Sequence, residues 1–212
     1  MGIAERKTKQ KEALRQSILE AAKRLFLKEG YHATSIRKIA KEIEFSPTTI
    51  YLYYKDKAEI AHALHIEGFK LLGKQFGPLK FIDDPFERLK VMGRIYMQFS
   101  LENTDFYELM FVLKEPMDHI RDCHMEDDWE EGNEAFKLLM ENVLACQKVG
   151  YFKHFDPANI AMIAWSALHG LCTLNLHGHL ASVKTYKEEF THIEDLFTAT
   201  FNTFIKMLEQ LK

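Results

Sequence analysis

Apolar positions recur along this chain at helical spacing. Leu14, Ile18, Ala21, Ala22, Leu25 and Phe26 form one stripe of a helix predicted from Glu12 to Glu29, which Gly30 ends. Ile36, Ile39, Ala40 and Ile43 repeat at i, i+3, i+4 and i+7 behind Thr34, a good N-cap. A tight corner at Glu44-Phe45 follows. Ser46 then offers a second N-cap, Pro47 the first helical position, and Thr48 to Tyr54 a helix of barely two turns. Asp56 caps a third helix, in which Ile60, Ala61, Leu64, Phe69 and Leu72 run on from Lys57 to about Phe76, before the stop at Gly77-Pro78. Gly68 and Gly73 each weaken that helix by about 1 kcal/mol relative to Ala. They read either as hinges or as points of close packing.

Prolines and acidic caps punctuate the remainder. Asp84-Pro85 opens a helix through Ser100, Asn103-Thr104 introduces another from Asp105 to Leu113, and Glu115-Pro116 starts a further segment. Residues 119–131 are polar and acidic, with Gly132 as a break. Ala135, Phe136, Leu139, Met140, Val143 and Leu144 resume a strong helix to Gly150. Asp156-Pro157 caps a long apolar helix from Ala158 to about His177, and Thr185 to Leu211 forms the last. No alternating strand pattern and no internal repeat interrupts this series. The prediction is an all-α fold of about nine helices, three or four at the N-terminal end and five or six in a C-terminal bundle.

The formal net charge of the 212-residue chain is −3, which by itself argues against a nucleic-acid partner. Its distribution reverses that reading. Residues 1–57 hold 13 Lys+Arg against 7 Asp+Glu, whereas residues 58–212 hold 15 against 24. A basic head on an acidic body suggests a DNA-binding domain over residues 1–57, joined through the helix of residues 57–76 to a module of a different kind over residues 77–212. Residues 1–11, with Arg6, Lys7, Lys9 and Lys11, read as a solvated tail or as a basic arm for DNA phosphates or the minor groove. Cys123, Cys146 and Cys172 are widely spaced and imply no disulfide framework. No run of 18 apolar residues and no apolar leader is present, so a cytoplasmic location without membrane contact is expected.

A helix as short as Thr48–Tyr54 is held by a partner so that its outer face can be presented. That face carries Thr48, Thr49, Tyr51, Tyr53 and Lys55, hydroxyls and a cation suited to phosphates and base edges. The two short helices therefore read as a helix-turn-helix that binds double-stranded DNA. Ile18-Leu19-Glu20-Ala21-Ala22, Leu25-Phe26, Gly30-Tyr31, Thr34-Ser35-Ile36, Ile39-Ala40 and the run Ser46 to Tyr54 followed by Lys57 resemble the DNA-binding domain of the tetracycline-repressor (TetR) family of bacterial transcription regulators. The resemblance implies a ligand-responsive regulator, a repressor released from a palindromic operator. It implies phosphate contacts from Thr34, Ser46, Tyr53 and Lys57. Arg37, Pro47, Thr48, Thr49 and Tyr51 then approach bases or the adjacent backbone, and Ser35 belongs to the same contact set. Three positions depart from the family pattern: Glu44 and Thr48 stand where Gly is frequent, and Lys55 where Pro is. If residue 44 is left-handed, Glu costs roughly 1 kcal/mol there. Further on, Trp165-Ser166-Ala167-Leu168-His169-Gly170 resembles the Trp…His-Gly signature of one C-terminal domain type among these regulators.

Other chemistries find less support. No Gly-rich phosphate loop, Gly-x-Ser-x-Gly or His-Glu-x-x-His is present, so no enzyme and no cofactor is expected. The acidic runs Glu126-Asp127-Asp128 and Glu130-Glu131 are typical solvated faces. His119, Cys123 and His124, the pair His169 and Cys172, and His177 with His179 are neighbours that lack zinc-site spacing, and no metal is expected. In the body, Met92, Tyr96, Phe99, Phe111, Phe136, Met140, Trp165 and His169 supply Met and aromatic side chains suited to an adaptable apolar pocket for a small-molecule effector. Phe106, Tyr107 and Met110 belong to the same pattern. Ordinary core is the alternative for each. Ile160, Ile163, Ala167 and Leu171, with Ile193, Phe197, Phe201 and Phe204, give the last two long helices more apolar surface than one bundle needs, which predicts a homodimer through a four-helix interface. Two other readings compete: a DNA binder without an effector, and a small-molecule binder with a vestigial DNA head.

Overall fold

Good helix formers carry the first helix further toward the N-terminus than its apolar stripe does. In the computed structural model, which describes residues 2–122, 130–183 and 193–212, α1 spans Ile3–Glu29. The basic stretch expected as a tail or arm is therefore helical from residue 3. Residues 5–13 are exposed and lack Gly and Pro, and the Lys, Glu, Gln and Arg among them are good helix formers. The Glu5 carboxylate accepts the Gly2 N–H at 3.3 Å and closes the N-terminus.

The remaining helices are α2 Ile36–Glu42, α3 Pro47–Tyr51, α4 Lys57–Phe76, α5 Pro85–Glu102, α6 Thr104–Tyr107, α7 Glu115–Asp122, α8 Glu130–Lys148, α9 Pro157–Leu176, α10 His179–Ser182 and α11 Ile193–Glu209. Among the described residues there is no strand, and eight of the eleven helices have seven residues or more. The fold is all-α. Three features depart from the expected outline. A 3-10 turn, Gly77–Phe81, follows α4. The helix expected from Asp105 to Leu113 widens after α6 into a π turn, Glu108–Val112, closed by Leu113 N–H to Glu108 O at 2.9 Å. The wider turn lets the sequence neighbours Leu109 and Met110 both enter the core. Gly132, expected as a break, lies instead within α8 and is buried there.

The chain divides into two compact units, with a boundary inside α4. The first comprises Met1–Lys70 and Asp105–Glu130, the second Leu71–Thr104 and Glu131–Lys212. In the first unit Ile18, Ala21, Ala22 and Phe26 of α1 are buried with Ile39 and Ala40 of α2, Ile50 of α3 and Ile60, Ala61 and Leu64 of α4. Gly68 of α4 is a point of close packing. A Cβ there would lie 2.5 Å from Met110 Sδ and 3.2 Å from a Phe106 ring carbon.

In the second unit α5 and α11 both pack on α9. One core cluster joins Phe86, Leu89, Val143, Cys146, Phe152, Ile160, Ala161 and Leu208. Burial there pushes the Cys146 thiol up to about 12, so it serves as a small hydrophobe. Gly93 of α5 lets the helices approach: its Cβ position lies 2.9 Å from the Phe201 ring and 3.2 Å from Leu168.

Candidate nucleic-acid interface

Two N-caps and one left-handed corner build the head. The N-cap of α2 is Ser35, whose Oγ accepts the Lys38 N–H at 3.3 Å. Thr34, expected in that role, is only 2% exposed and donates its hydroxyl to Gly30 O at 2.9 Å. Its carbonyl is also committed, to Lys57. At the end of α2, Glu44 adopts φ +59°. Phe45 N–H reaches Ala40 O at 2.9 Å and Glu44 N–H reaches Lys41 O at 3.2 Å, the paired bonds of a Schellman ending. This corner turns the chain into Ser46, whose Oγ accepts the Thr49 N–H at 3.1 Å and lies 2.9 Å from the Thr49 hydroxyl. Pro47 occupies the first turn of α3.

Five residues of α3 are too few to stand alone, and the helix is pinned by Ile50, which has no exposure. Tyr54, just beyond it, is buried and accepts Arg15 Nε–H of α1 at 3.1 Å. Burial raises the Tyr54 phenol, which stays a neutral acceptor and donor. Pinned from behind, α3 presents Thr48 and Tyr51 outward, with Leu52 next to them 76% exposed. Ser35, Arg37 and Ser46 are also exposed, and Pro47, Thr49 and Tyr53 are half-buried. Of the ten residues named for DNA contact, Thr34 alone is buried.

Lys57 is turned into the head. Its Nζ donates to Tyr31 O at 2.6 Å and Thr34 O at 2.9 Å, and stands 4.0 Å above the centre of the Tyr31 ring. Burial lowers its pKa, and the Glu115 carboxylate opposes the shift. An ammonium has three donors, and the two carbonyls take two of them. Glu115 also lies 3.1 Å from His32 Nε2.

In the second unit, the sequence-predicted pocket residues Tyr96, Trp165 and His169 meet. Trp165 Nε1–H donates to Tyr96 Oη at 3.3 Å, and that oxygen lies 3.3 Å from His169 Nδ1. The Phe136 ring is 6.1 Å from Trp165. Burial lowers the His169 pKa and favours the neutral imidazole. Met92 and Phe99 are buried, and Met140 is half-buried against the core cluster. Phe111 belongs to the first unit, 5.5 Å from Phe69 and 5.1 Å from Tyr107. Among the described residues no three metal-ligating side chains cluster; Cys123 and His124 lie outside them.

Residues 18–64 match the family of bacterial regulatory proteins named tetR. Residues 89–199, more than half of the chain, match the tetracyclin repressor-like C-terminal domain. This chain belongs to the TetR family. It is a helix-turn-helix transcriptional regulator. An uncharacterized HTH-type transcriptional regulator of Haemophilus influenzae is 30% identical over 143 residues, 62% of this chain and 75% of the relative. The regulator AcrR of Shigella flexneri is 36% identical over 121 residues, 54% of this chain and 53% of that protein. In fold, the fatty acid degradation regulator FadR of Bacillus halodurans superposes with a TM-score of 0.69 at 18% identity, covering 90% of this chain and 94% of that one.

Two surface cavities of this TetR-family chain were not anticipated as such. One, about 350 Å³, lies between α9 and α11 and includes the expected interface residues Ala167, Leu171 and Phe204 with Met207. Of these helices α9 exposes Met162, Ile163 and Leu174, and α11 exposes Met207. By contrast Ile160 belongs to the core cluster, Phe201 packs on Gly93, and Phe197 is buried, so these three serve the chain's own core. Both faces of these helices are apolar, and periodicity alone does not say which one faces inward. The side chain of Ile193 lies outside the described residues. The other cavity, about 330 Å³, includes Met92 but otherwise none of the residues named for a pocket.

Proposed function

We propose that this regulator is a homodimeric repressor that leaves a palindromic operator when a small, mostly apolar effector binds its body. The observation that carries the dimer is the exposed apolar surface of α9 and α11. Ile163 is 52% exposed and Met207 63%, on helices that border one groove. Monomeric surfaces rarely leave such a patch uncovered. A Cβ at Gly170 would meet nothing within 4 Å, so the α9 face is open to a second helix. One five-residue recognition helix reads few base pairs, and a two-fold pair spaced about 34–36 Å apart reads two half-sites.

The effector reading rests on Tyr96, Trp165 and His169, a small polar group among Met and aromatic side chains, which is the composition of a ligand site. The proposed route to DNA is α4, which starts at Lys57 in the head and ends at Phe76. An effector must prefer the non-binding arrangement by about 10⁴-fold, roughly 5.5 kcal/mol, to empty an operator that was nearly full.

Sedimentation and operator titration test this reading together. Wild type is expected to sediment as a dimer at micromolar concentration, and Ile163→Glu is expected to yield monomers with weakened operator binding. A wild-type monomer that binds a single half-site as tightly as the palindrome would exclude it. For the effector, native mass spectrometry of protein purified from its own host should reveal a bound small molecule. Ala164→Phe or Met140→Trp should then abolish its release of DNA.

A further inference from the structure

The cavity of about 330 Å³ in the second unit has polar chemistry that the aromatic cluster lacks. Its wall contains Arg88 and Met92 of α5, Phe76 of α4, Leu79 of the 3-10 turn, and Leu138 and Asn142 of α8. Asn142 is 4% exposed, and its Oδ1 accepts Arg88 Nε–H at 3.0 Å. That bond fixes the amide. A flipped Asn142 would set an NH₂ against the guanidinium N–H, donor against donor. The Nδ2 is therefore the atom left over: it is buried without a hydrogen-bond partner, on a residue that lines the cavity. A buried amide N–H₂ without an acceptor costs free energy that a bound acceptor would recover.

The surrounding charges select the acceptor. No carboxylate lies within ion-pair distance of Arg88 among the described residues, so its terminal nitrogens remain available. Lys80 adds a second cation at the cavity, against the exposed Glu141. Two cations against one anion favour a ligand of single negative charge. Phe76, Leu79, Met92 and Leu138 provide for an apolar remainder. Gly73 keeps the cavity open: a Cβ there would meet no atom within 4 Å, unlike the crowded Gly68 on the same helix.

We propose that this cavity is a binding site for a monocarboxylate with an apolar body, its carboxylate held by Arg88 and Asn142 Nδ2. The site stands apart from the Tyr96–Trp165–His169 cluster and does not depend on the effector reading given above. A carboxylate accepts from a guanidinium in fork geometry and from an amide N–H at once. Neither an alcohol nor an amine reproduces that pairing.

Calorimetric titration of the full-length protein with octanoate, octanol and octylamine tests the assignment. Octanoate is expected to bind at least about tenfold more tightly than octanol, with octylamine weaker still. Asn142→Asp retains an acceptor for Arg88 and removes the donor, so octanoate affinity should fall by more than about tenfold while octanol binding is kept. Gly73→Leu, at a helical position with open space, should block both ligands while circular dichroism stays unchanged. Equal binding of octanoate and octanol, no octanoate binding by wild type at millimolar concentration, or wild-type octanoate binding in either variant overturns the proposal.

Discussion

The ammonium of Lys57 donates to the carbonyl of Tyr31 at 2.6 Å and stands 4.0 Å above the ring of the same residue. One side chain at the start of α4 thus ties down the turn between α1 and α2, with Thr34 O as its second acceptor. The same residue is expected at the DNA backbone, and the two roles separate experimentally. Lys57→Ala should lower unfolding free energy by about 2 kcal/mol, through the lost charge-assisted bonds to the Tyr31 and Thr34 carbonyls. If its third N–H meets a phosphate, operator affinity should also fall alike on all sequences, with the salt slope reduced by about one unit. Urea denaturation and a salt series of operator titrations read the two effects. A lost stability with an unchanged slope would make Lys57 purely structural.

Glu44 holds φ +59° at the corner between α2 and α3. A non-glycine residue is strained there, and the Glu44 side chain is exposed, so it gives nothing back through packing. Glu44→Gly should raise stability by about 1 kcal/mol. The Schellman bonds from Phe45 and Glu44 are made by backbone and should survive, leaving operator affinity unchanged. A rise in the urea midpoint with constant DNA binding is the expected result.

Gly68 and Gly73 read alike in the sequence but should respond oppositely to alanine. At Gly73 a methyl group enters open space, so Gly73→Ala should stabilise α4 by about 0.5–1 kcal/mol. At Gly68 the methyl group meets Met110 Sδ at 2.5 Å, and overpacking of about 1–3 kcal/mol outweighs the helical gain. Thermal or urea unfolding of the two variants should move in opposite directions. Equal stabilisation would show that Met110 moves aside without cost.

His169 gives the body a pH dependence. Burial depresses its folded pKa below the ordinary imidazole value of about 6.5, which applies to the unfolded chain. Between those two values the unfolded chain binds more protons, so stability rises with pH there. The contribution is complete above about pH 6.5 and is lost as the pH falls through the depressed folded value. His169→Gln, which keeps a polar partner for Tyr96, should flatten this decline. Urea midpoints at intervals from neutral to mildly acid pH measure the difference between the two proteins.

The helical class, the corner at Glu44-Phe45 and the short helix behind Ser46-Pro47 were legible in the sequence. These follow from local rules: caps, the fixed φ of proline, and apolar repeats on one face, all satisfied within a few residues of chain. The sequence also brought Tyr96, Trp165 and His169 into one candidate set, because large apolar side chains at helical spacing have few other places to go. Local rules could equally not distinguish Thr34 from Ser35 as the cap of α2, since both are hydroxyl residues in the same turn; burial of Thr34 against Gly30 O decided it. Only tertiary packing decided that Gly68 is crowded while Gly73 is open, and that Ile160 and Phe201 face inward while Ile163 faces out. The Arg88–Asn142 pair was invisible for the same reason. The two residues stand 54 positions apart on different helices, and an arginine and an asparagine with no periodic partner look like solvated surface until the fold buries one against the other.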